Sequence, residues 1–479
     1  MPPNWVNRTL WTGDNLDILR GMNSECVDLI YLDPPFNSNQ DYAAPVGSEA
    51  AGAAFKDTWT LSDLDVAWMG LIADEQPAIA DLLDTAGRVH GKGMQSYLTM
   101  MAVRLLEMRR VLKTTGSIYL HCDPTASHYL KALLDGVFGR QHFRNEIIWK
   151  RTFSHGGADG WGSVHDTLLF YSRSERFRWT GLTQEYDPAY VAAKYSKEDD
   201  RGRYQAIVMT GPGTSQGPSG QPWQGYDPTA AGRHWAVPRA ALATLRREGI
   251  PIPTDLHARL DLLMEHGFIY IPQKAGGVPR FKRYLGDDRV LPVQDVIADV
   301  PPINSQAKER IGYPTQKPLA LLERIIQASS DPGDMVLDPF AGCATACVAA
   351  EDLGRQWVGI DLSEKAVELV NRRLQETMGT LFHNRLVTAR TDIPRRTDID
   401  APKNYRQNKH ILYGEQEGYC AGCRTHFEFR HLEVDHVIPQ RKGGGDHIEN
   451  LQLLCASCNR IKGDRPQEYL VARLAELAG

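Results

Sequence analysis

The sequence predicts an α/β protein: a doubly wound, Rossmann-like sheet with an inserted region, followed by a small domain held together by cysteines. Three observations lead to this fold class. Short apolar runs alternate with segments of helical period in two separate parts of the chain. The stretch between those parts has no clear period, and two Cys-x2-Cys pairs lie in the last part of the chain.

Length and composition limit the classes of protein to be considered. With 479 residues the chain exceeds one ordinary core, so two or three domains are expected. Its 42% hydrophobic and 24% charged residues are typical of globular proteins, and its net charge of −5 neither favours nor excludes nucleic acid. No run reaches the roughly 18 apolar residues that a membrane span requires, and the first residues lack a signal pattern. A cytoplasmic protein without membrane contact is therefore expected.

The first part of the chain predicts a strand, a helix and a second strand. Val27–Leu32 is a largely apolar run that stops at Asp33 and a double proline, which is typical of a buried strand. Apolar residues recur at a near-helical period over Tyr97–Leu112. The run Ser117–His121 then predicts the next strand of a doubly wound sheet.

The later parts of the chain set the predicted boundaries. The stretch 181–300 is rich in Gly, Pro and aromatic residues and predicts an inserted subdomain or long ordered loops. Alternation returns with a strand at 335–340, a helix over Ala344–Leu353 and a strand over Trp357–Asp361. An excess of Lys and Arg then predicts an exposed linker, which either lies along phosphate or is a solvated tether. The predicted segments are 1–180, 181–300, 301–385, a linker at 386–410, and 411–479.

The run Asp338–Thr345 lies where a predicted strand turns into a helix. Its small residues would let backbone N–H groups and the helix N-terminus approach a ligand closely. Asp361, at the end of the next predicted strand, is suited to accept hydrogen bonds from ribose hydroxyls. By itself this pattern fits a nucleotide-binding turn and a ligand-free βαβ turn about equally well.

Three runs occur in an informative order: DPPF at 33–36, TQKP at 315–318 and DPFAG at 338–342. With them the chain resembles the DNA amino-methyltransferases that act on adenine N6 or cytosine N4. The DPPF run precedes the DPFAG run, which is similar to the β class of that family, whose target-recognition region lies between the two halves. The resemblance covers residues 10–384 and implies S-adenosylmethionine as cofactor and double-stranded DNA as substrate.

The resemblance also assigns roles to individual residues of the cofactor half. It implies that S-adenosylmethionine is surrounded by Asp338, Phe340 and Gly342, with its ribose at Asp361, its methionine part near Thr315 and Lys317, and its adenine near Asp14. The chain departs from the family at Ala344, where a glycine is usual. We expect the methyl group of Ala344 either to crowd the cofactor or to be absorbed by its surroundings.

The DPPF run matches the chemical requirement of amine methylation. The lone pair of an exocyclic amine is delocalised into the base, so acceptors for its two N–H groups would favour a more nucleophilic nitrogen. We expect Asp33 to accept from one N–H group and the Pro34 carbonyl from the other. Pro34 and Pro35 would stiffen this turn, and Phe36 would stack on an extruded base. By family resemblance, Asp as the first residue favours adenine N6; the alternative for the run is a plain strand-ending turn.

Aromatic and basic side chains around the inserted region predict contacts with DNA. Lys150 and Arg151 end the first half of the chain, and Trp223, Arg233 and Trp235 lie in the insert. Such side chains suit phosphate contact or insertion beside a flipped-out nucleotide. The alternative, which is favoured for each tryptophan taken singly, is that the rings form the core of the insert.

Four cysteines predict a structural zinc site in the last domain. Cys420 and Cys423 form one Cys-x2-Cys pair, and Cys455 and Cys458 form the other, with 31 residues between the pairs. Four thiolates complete a tetrahedral Zn²⁺ site without an open position. A domain of this size requires such a staple, because its own core is small.

Between the cysteine pairs the chain resembles the HNH nuclease signature, a ββα fold around one metal ion. The resemblance implies His436 as the general base that activates water, and Asp435 and Asn459 as ligands of a catalytic Mg²⁺. Asn450 would brace the loop that holds His436. Asn459 stands where the signature often has His. A rival interpretation is a zinc-ribbon module that binds DNA without catalysis.

Two sites in one chain predict a restriction–modification protein, in which methylation protects a DNA site that the nuclease otherwise cuts. A second hypothesis is a solitary methyltransferase whose HNH-like domain only binds DNA. A third is a modification-dependent nuclease. One HNH centre cuts one strand at a time, so double-strand cleavage would require a homodimer or sequential nicks.

Overall fold

The computed structural model describes most of the chain, in two compact units. The larger unit is Met1–Thr180 together with Gln294–Gly479, and the smaller unit is Gly181–Val293. No helix among the described residues is long and apolar enough to cross a membrane. The described residues are 1–35, 41–43, 54–56, 68–69, 72–73, 76–152, 160–273, 277–286, 291–304, 306–313, 315–379, 386–398, 408–442, 446, 448–465 and 467–478.

Strands and helices alternate over most of the described chain. The strands are β1 (Thr9–Thr12), β2 (Val27–Leu32), β3 (Asp41–Ala43), β4 (Ala54–Lys56), β5 (Leu112–Cys122), β6 (Phe143–Lys150), β7 (His165–Ser172), β8 (Thr183–Gln184), β9 (Lys197–Asp199), β10 (Gly202–Val208), β11 (Thr210–Pro212), β12 (Arg233–Trp235), β13 (Ile269–Tyr270), β14 (Arg280–Tyr284), β15 (Leu291–Pro292), β16 (Val296–Ile297), β17 (Met335–Asp338), β18 (Gln356–Asp361), β19 (Thr388–Arg390), β20 (Leu432–His436) and β21 (Leu451–Cys455). The α-helices are α1 (Asn15–Gly21), α2 (Pro77–Val89), α3 (Lys92–Val111), α4 (Ser127–Phe138), α5 (Pro188–Lys194), α6 (Arg239–Arg247), α7 (Leu256–Glu265), α8 (Leu319–Ser329), α9 (Thr345–Asp352), α10 (Glu364–Met378), α11 (Lys409–Glu415), α12 (Ala456–Lys462) and α13 (Gln467–Ala478).

The larger unit contains a nine-stranded sheet with the strand order β16-β6-β7-β5-β2-β17-β18-β1-β19. β7 runs antiparallel to its neighbours β5 and β6, and the other neighbouring pairs are parallel. Alternate residues of β2 enter different apolar clusters: Ile30 and Leu32 join one, and Leu29 and Tyr31 join the other. Helices α1 to α4 contribute to the first cluster and α8 to α10 to the second. The predicted doubly wound sheet is therefore confirmed.

Several elements predicted for this sheet are present, some with shifted ends. β2 has the predicted bounds, whereas α3 begins earlier than the predicted Tyr97. β5 extends the predicted strand Ser117–His121 back to Leu112, where it follows α3 without a loop. β17 ends at Asp338, before the predicted end of that strand, because the next residue is Pro339, which has no N–H group to donate to a ladder. Buried parallel strands are continuous apolar runs, which explains why they were predictable from sequence.

The smaller unit is an ordered subdomain rather than a set of long loops. β13, β14, β10 and β9 form an antiparallel sheet in that order. Leu245 of α6 and Leu260 of α7 pack with Phe281 of β14 in a core that belongs to this unit. The sequence showed no clear period here because its elements are short and separated by Gly- and Pro-rich turns.

The segment after α10 is mostly exposed over residues 386–398, as the sequence predicted, but part of it joins the sheet rather than forming a free tether. β19 pairs with β1 as the last strand of the nine-stranded sheet. Ser24 N donates to Asp398 Oδ2 at 2.8 Å, and Arg396 pairs with the same carboxylate at 2.9 Å. Backbone pairing and local ion pairs thus hold 388–398 on the larger unit. Residues 399–407 of the predicted linker lie outside the described residues.

The last domain has the predicted ββα arrangement. β20 and β21 form an antiparallel pair, and α12 follows β21 directly. Leu432, Leu453 and Leu470 pack with buried cysteines in a small apolar cluster. The cluster is small, which agrees with the expectation that this domain requires a further cross-link.

Candidate active sites

Three adjacent parallel strands bring carboxylates to one edge of the nine-stranded sheet. β2, β17 and β18 are neighbours in that order. Asp33 follows β2, Asp338 ends β17 and Asp361 ends β18. The carboxyl ends of parallel strands meet at the same edge, which is where open α/β sheets bind ligands. The fold therefore brings together two aspartate runs that are far apart in the sequence.

Asp33 is held by a buried lysine. Lys317 Nζ donates to Asp33 Oδ2 at 2.5 Å and to Thr315 O at 3.3 Å, and Lys317 is only 7% exposed. Asp33 Oδ1 is also buried, and among the described residues it accepts no hydrogen bond. One carboxylate oxygen is thus tied to an ammonium group, and the other is an acceptor suited to a ligand. The contact of Lys317 with Asp33 was not predicted, and Phe36 lies outside the described residues.

The turn after β17 is organised by the other two carboxylates. Asp338 Oδ1 accepts from Phe340 N at 3.2 Å, and Asp361 Oδ2 accepts from Gly342 N at 2.8 Å. Burial raises the pKa of Asp338 well above its ordinary value, and burial also raises the pKa of Asp361. Gly342 has φ +53°, and a Cβ there would lie 3.2 Å from the Tyr313 ring. The predicted cofactor residues therefore meet at one turn, and their binding roles stay predictions.

Ala344 is absorbed by the core. Its backbone is left-handed, with φ 51° and ψ 42°, and it precedes the first residue of α9. The residue is 0% exposed and belongs to the apolar cluster formed with α8 to α10. Of the two outcomes that the sequence left open, the structure thus favours packing of the methyl group.

Asp14 is fixed by an arginine that sequence reasoning missed. Asp14 Oδ1 accepts from Leu16 N in the first turn of α1 and from Arg104 Nη2, each at 2.8 Å. Arg104 Nε donates to Asn15 Oδ1 at 2.6 Å, and Asn15 Nδ2 donates to Pro339 O at 2.6 Å. Burial lowers the pKa of Arg104, and the charge of Asp14 opposes that shift. The sequence offered one indication of this role, since Arg104 falls among the apolar positions of the predicted helix.

Tyr313 is a second residue of this region that was not singled out. Its ring stands beside Gly342, at the cofactor turn. Burial raises the pKa of the Tyr313 hydroxyl, and the charges of Asp361 and Asp33 add to the shift. Tyr313 therefore lies within electrostatic reach of both aspartate runs. Its position in the sequence, just before the TQKP run, was the only sign of a role.

The predicted DNA contacts divide into two groups. Lys150 ends β6 with an exposed side chain, and the side chain of Arg151 is 40% exposed, so both are accessible to phosphate. Trp223 and Trp235 are 6% and 2% exposed and pack edge to face in the core of the smaller unit. Arg233 donates to the side chain and backbone of β11. The predicted base contact does not hold for the two tryptophans, because a packed core excludes stacking on DNA.

The four predicted zinc ligands converge on one point. The sulfur atoms of Cys420, Cys423, Cys455 and Cys458 all lie within 4.8 Å of one another, so the four thiols could hold a metal ion. Cys455 N donates to Cys420 Sγ at 3.2 Å. Burial raises the pKa of Cys423, but hydrogen bonds from Thr425 and the neighbouring thiols outweigh it and lower the pKa to about 7. The lowered pKa favours the metal-binding thiolate form of Cys423, whereas burial raises the pKa values of Cys455 and Cys458.

The predicted nuclease residues gather around the end of β20. Asn450 brackets the loop after His436: its Oδ1 accepts from Ile438 N at 2.8 Å, and its Nδ2 donates to Ile438 O at 3.0 Å. This contact has the geometry that the predicted brace requires. Asn459 Nδ2 donates to Glu433 Oε2 at 2.6 Å, a contact that was not predicted. The roles of these residues in metal binding and catalysis stay predictions.

Two further charged side chains of this region were missed. Lys462 is 0% exposed, and its Nζ lies 2.8 Å from Asp435 Oδ2 and donates to His436 O at 2.6 Å. Asp446 Oδ1 lies 2.8 Å from His436 Nε2. A buried ammonium group therefore fixes the Asp435–His436 pair, and a carboxylate faces the imidazole. A lysine in the last turn of a helix is normally exposed, so the sequence carried no sign of this role.

The doubly wound sheet with its acidic edge defines a ligand-binding α/β protein, and the cysteine cluster defines a second, metal-binding module. The chain belongs to the DNA methylase family of N6 and N4 methyltransferases, whose family model matches residues 27–372. A model described as HNH endonuclease matches residues 420–465, so the chain carries a C-terminal HNH endonuclease domain.

Individual proteins with similar sequences are methyltransferases of restriction–modification systems. Type II methyltransferase M.EcaI of Enterobacter cloacae is 28% identical over 415 residues, which cover 86% of this chain and 79% of that protein. The Mod subunit of the type III restriction-modification enzyme StyLTI of Salmonella typhimurium is 26% identical over 366 residues, or 72% of this chain and 50% of that protein. A structure of a putative DNA modification methylase from Thermus thermophilus with S-adenosyl-L-methionine superimposes with a TM-score of 0.35 at 15% identity, covering 78% of this chain and 96% of the other.

Proposed function

We propose that the chain methylates adenine N6 in double-stranded DNA with S-adenosylmethionine and that its HNH domain cleaves DNA lacking the mark. The observation that carries the methyl-transfer half is the Asp33 carboxylate, with one oxygen tied to Lys317 and the other buried and without a hydrogen-bond donor among the described residues. An unsatisfied buried acceptor is costly, which supports the arrival of a donor from the substrate. Because DNA is the substrate, we also place the protein in the cytoplasm.

The target amine would be bound by two acceptors. Asp33 Oδ1 accepts from one N–H group and the Pro34 carbonyl from the other, which turns the nitrogen lone pair out of conjugation with the ring. Lys317 keeps Asp33 in place through Oδ2. Because both prolines restrict the backbone of the turn, the acceptors are oriented before the base arrives. Asp as the first residue of the run supports adenine over cytosine.

The turn after β17 fits S-adenosylmethionine, which supplies an electrophilic methyl group when bound. Gly342 adopts a left-handed backbone close to the Tyr313 ring, where a side chain would crowd the turn, and Asp361 has lone pairs for ribose hydroxyls beyond its bonds from Gly342 N and Ser363 N. Asp338 and Phe340 would flank the cofactor, and Asp14 would lie near its adenine. Thr315 and Lys317 would approach its methionine part.

The four thiolates suit a structural Zn²⁺, because they offer a complete tetrahedral set of soft ligands. The nuclease residues suit a Mg²⁺ ion, for which Asp435 and the Asn459 amide oxygen are hard donors. His436 would take a proton from water while Asn450 keeps its loop fixed. One such centre cuts one strand, so we propose a homodimer for double-strand cleavage, with a rate that rises with protein concentration.

The methyl-transfer half is tested with unmodified plasmid DNA, S-adenosylmethionine and mass spectrometry of the nucleosides. We expect N6-methyladenine from the wild type and a loss of about 10²-fold or more in kcat from Asp33→Asn, because one preoriented acceptor is replaced by an amide. Asp84→Asn, an exposed carboxylate on α2, serves as the matched control. N4-methylcytosine as the product would overturn the choice of base, and an unaffected Asp33→Asn variant would overturn the site.

The nuclease half is tested on the same plasmid with Mg²⁺. We expect cleavage of unmethylated DNA that His436→Ala abolishes and the exposed control His431→Ala retains, with prior methylation giving protection. Methylation without cleavage under any condition would support a domain that only binds DNA. Cleavage restricted to methylated DNA would support a modification-dependent nuclease instead.

A further inference from the structure

Three buried side chains form a hydrogen-bonded series, the Tyr31–His121–Asp166 series, at the same edge of the sheet as Asp33. The Tyr31 hydroxyl is 2.9 Å from His121 Nδ1, and His121 Nε2 is 3.2 Å from Asp166 Oδ2. Tyr31, His121 and Asp166 are 3%, 0% and 2% exposed. Burial of three polar groups costs desolvation free energy, which their hydrogen bonds must offset. Apolar residues would fill the same space without that cost, which favours a role beyond packing.

The hydrogen bonds assign one protonation state to the Tyr31–His121–Asp166 series. Burial lowers the pKa of His121, and the charge of Lys317 adds to that shift, which favours a neutral ring. Burial raises the pKa of Asp166, but the hydrogen bond with His121 and the charges of Lys317 and Arg151 outweigh burial and lower it, which favours the carboxylate. A carboxylate only accepts, so His121 Nε2 carries the hydrogen and Nδ1 accepts from Tyr31.

At its outer end, the Tyr31–His121–Asp166 series meets Arg151 in an imperfect ion pair. Arg151 Nε lies 3.2 Å from Asp166 Oδ1, yet among the described residues neither atom makes a hydrogen bond of good geometry. The Arg151 side chain is 40% exposed, whereas Asp166 is buried. The guanidinium group can therefore turn toward an external anion without losing a well-aligned hydrogen bond, while the carboxylate stays in place.

At its inner end, the Tyr31–His121–Asp166 series lies beside the proposed methyl-transfer site. Tyr31 and Asp33 are two residues apart on the strand β2 and its extension, and His121 lies in β5, the strand paired with β2. Lys317, which donates to Asp33 Oδ2, is also within electrostatic reach of His121 and Asp166. Asp166 is therefore hydrogen-bonded to His121 and paired with Arg151, and the charge of Lys317, which holds the Asp33 carboxylate, also acts on it.

We propose that Asp166 is a positioning residue that couples phosphate binding at Arg151 to the Asp33–Lys317 pair, an inference that rests on the proposed methyl transfer. A DNA phosphate competes with Asp166 for the Arg151 guanidinium. Once Arg151 has turned to phosphate, Asp166 attracts Lys317 more strongly, and the hold of Lys317 on Asp33 is loosened. Asp33 then becomes a stronger acceptor for the target amine only when DNA is bound.

The coupling predicts opposite effects of one substitution on binding and on chemistry. Asp166→Asn frees Arg151, so we expect three- to tenfold tighter binding of an unmodified duplex and at least tenfold slower methyl transfer at saturating DNA. A residue with only a structural role would not tighten binding. In an Arg151→Ala background, Asp166→Asn should leave DNA affinity unchanged within twofold, because the competing guanidinium is gone. The exposed pair Arg88–Asp84 provides the matched control, with no coupling expected between Arg88→Ala and Asp84→Asn.

Each arm of this test has an outcome that overturns the proposal. Tightening that persists in the Arg151→Ala background would assign the effect to general repulsion between Asp166 and DNA. Unchanged methyl transfer in Asp166→Asn would remove the link to Asp33. An inactive wild type would refute the proposed methyl transfer, whereas the affinity cycle would still decide whether Arg151 and Asp166 are coupled.

A measurement on the unaltered protein covers the case in which Asp166→Asn does not fold. We expect the ¹⁵N resonances of the His121 ring to shift when unmodified duplex DNA is added to the wild type. The resonances are assigned by their loss in His121→Gln. Arg151→Ala, at DNA concentrations that saturate it, should show no such shift, and an equal shift there would overturn the coupling.

Discussion

Ala344 carries a side chain at a backbone conformation that favours glycine. The left-handed conformation costs a residue with a Cβ about 1–2 kcal/mol. Its methyl group is fully buried, and burial of one such group contributes about 0.8 kcal/mol to the free energy of unfolding. The alanine also restricts the unfolded chain relative to glycine, which adds about 0.4–1 kcal/mol in its favour. The opposing contributions are of similar size, which explains how this departure from the family is tolerated.

We therefore expect Ala344→Gly to change the free energy of unfolding by less than about 1 kcal/mol. Ala344→Val should destabilise by about 2–4 kcal/mol, because a β-branched residue at positive φ is strained and the site is already filled. Urea denaturation of both variants measures the difference. Equal stabilities would contradict the packing described for this position.

His121 predicts a pH dependence of stability. Its pKa is lowered in the folded protein, whereas an unfolded histidine titrates near pH 6.5. Below about pH 6.5 the unfolded chain binds a proton that the folded protein does not, so this residue lowers stability as the pH falls toward the folded pKa. His121→Gln should show a shallower fall of Tm between about pH 7 and 5 than the wild type. The control is His431→Gln, which replaces an exposed histidine and should keep the wild-type dependence of Tm on pH. Parallel curves of Tm against pH for the wild type and both variants would refute this role of His121.

At the scale of elements, strands were easier to predict than the segment that joins the modules. A buried strand is a largely apolar run, and the end of β2 was predictable because Asp33 and two prolines follow it. The segment 388–398 is rich in charge and mostly exposed, as predicted, but it was not expected to pair with the sheet. Its charges are paired locally, as between Arg396 and Asp398, and its backbone pairs with β1. Composition indicates how many charges a segment has but not where their partners lie.

The cysteine-bearing domain should depend on its metal for folding. A structural zinc ion supplies on the order of 10 kcal/mol, and the small core of this domain is built around the cysteines. We expect Cys455→Ser to lower the zinc content and to make the domain sensitive to limited proteolysis. Methyl transfer should persist. Cys26→Ser, in a buried position of the larger unit, is the control for zinc stoichiometry; an unchanged zinc content in Cys455→Ser would refute the site.

At the scale of the whole molecule, the contacts of 388–398 predict where the chain can be divided. A fragment 1–398 should retain methyl transfer and the Tm that the nine-stranded sheet has in the full chain. A fragment 1–385 lacks β19 and leaves β1 as an exposed edge, so its Tm should fall by roughly 5 °C or more. Calorimetry of the two fragments measures this difference. Equal Tm values would mean that β19 contributes nothing to the sheet.

The sequence alone determined the fold class, the order of the aspartate runs, the four cysteines and the ββα domain, because each depends on residues close together in the chain or on a fixed spacing. Only the tertiary structure decided which charges meet. Lys317 reaches Asp33, Arg104 fixes Asp14, Lys462 is buried beneath Asp435, and Asp166 faces Arg151. Such pairs join different elements of the fold, and the free energy of each depends on burial and distance, which no local pattern encodes.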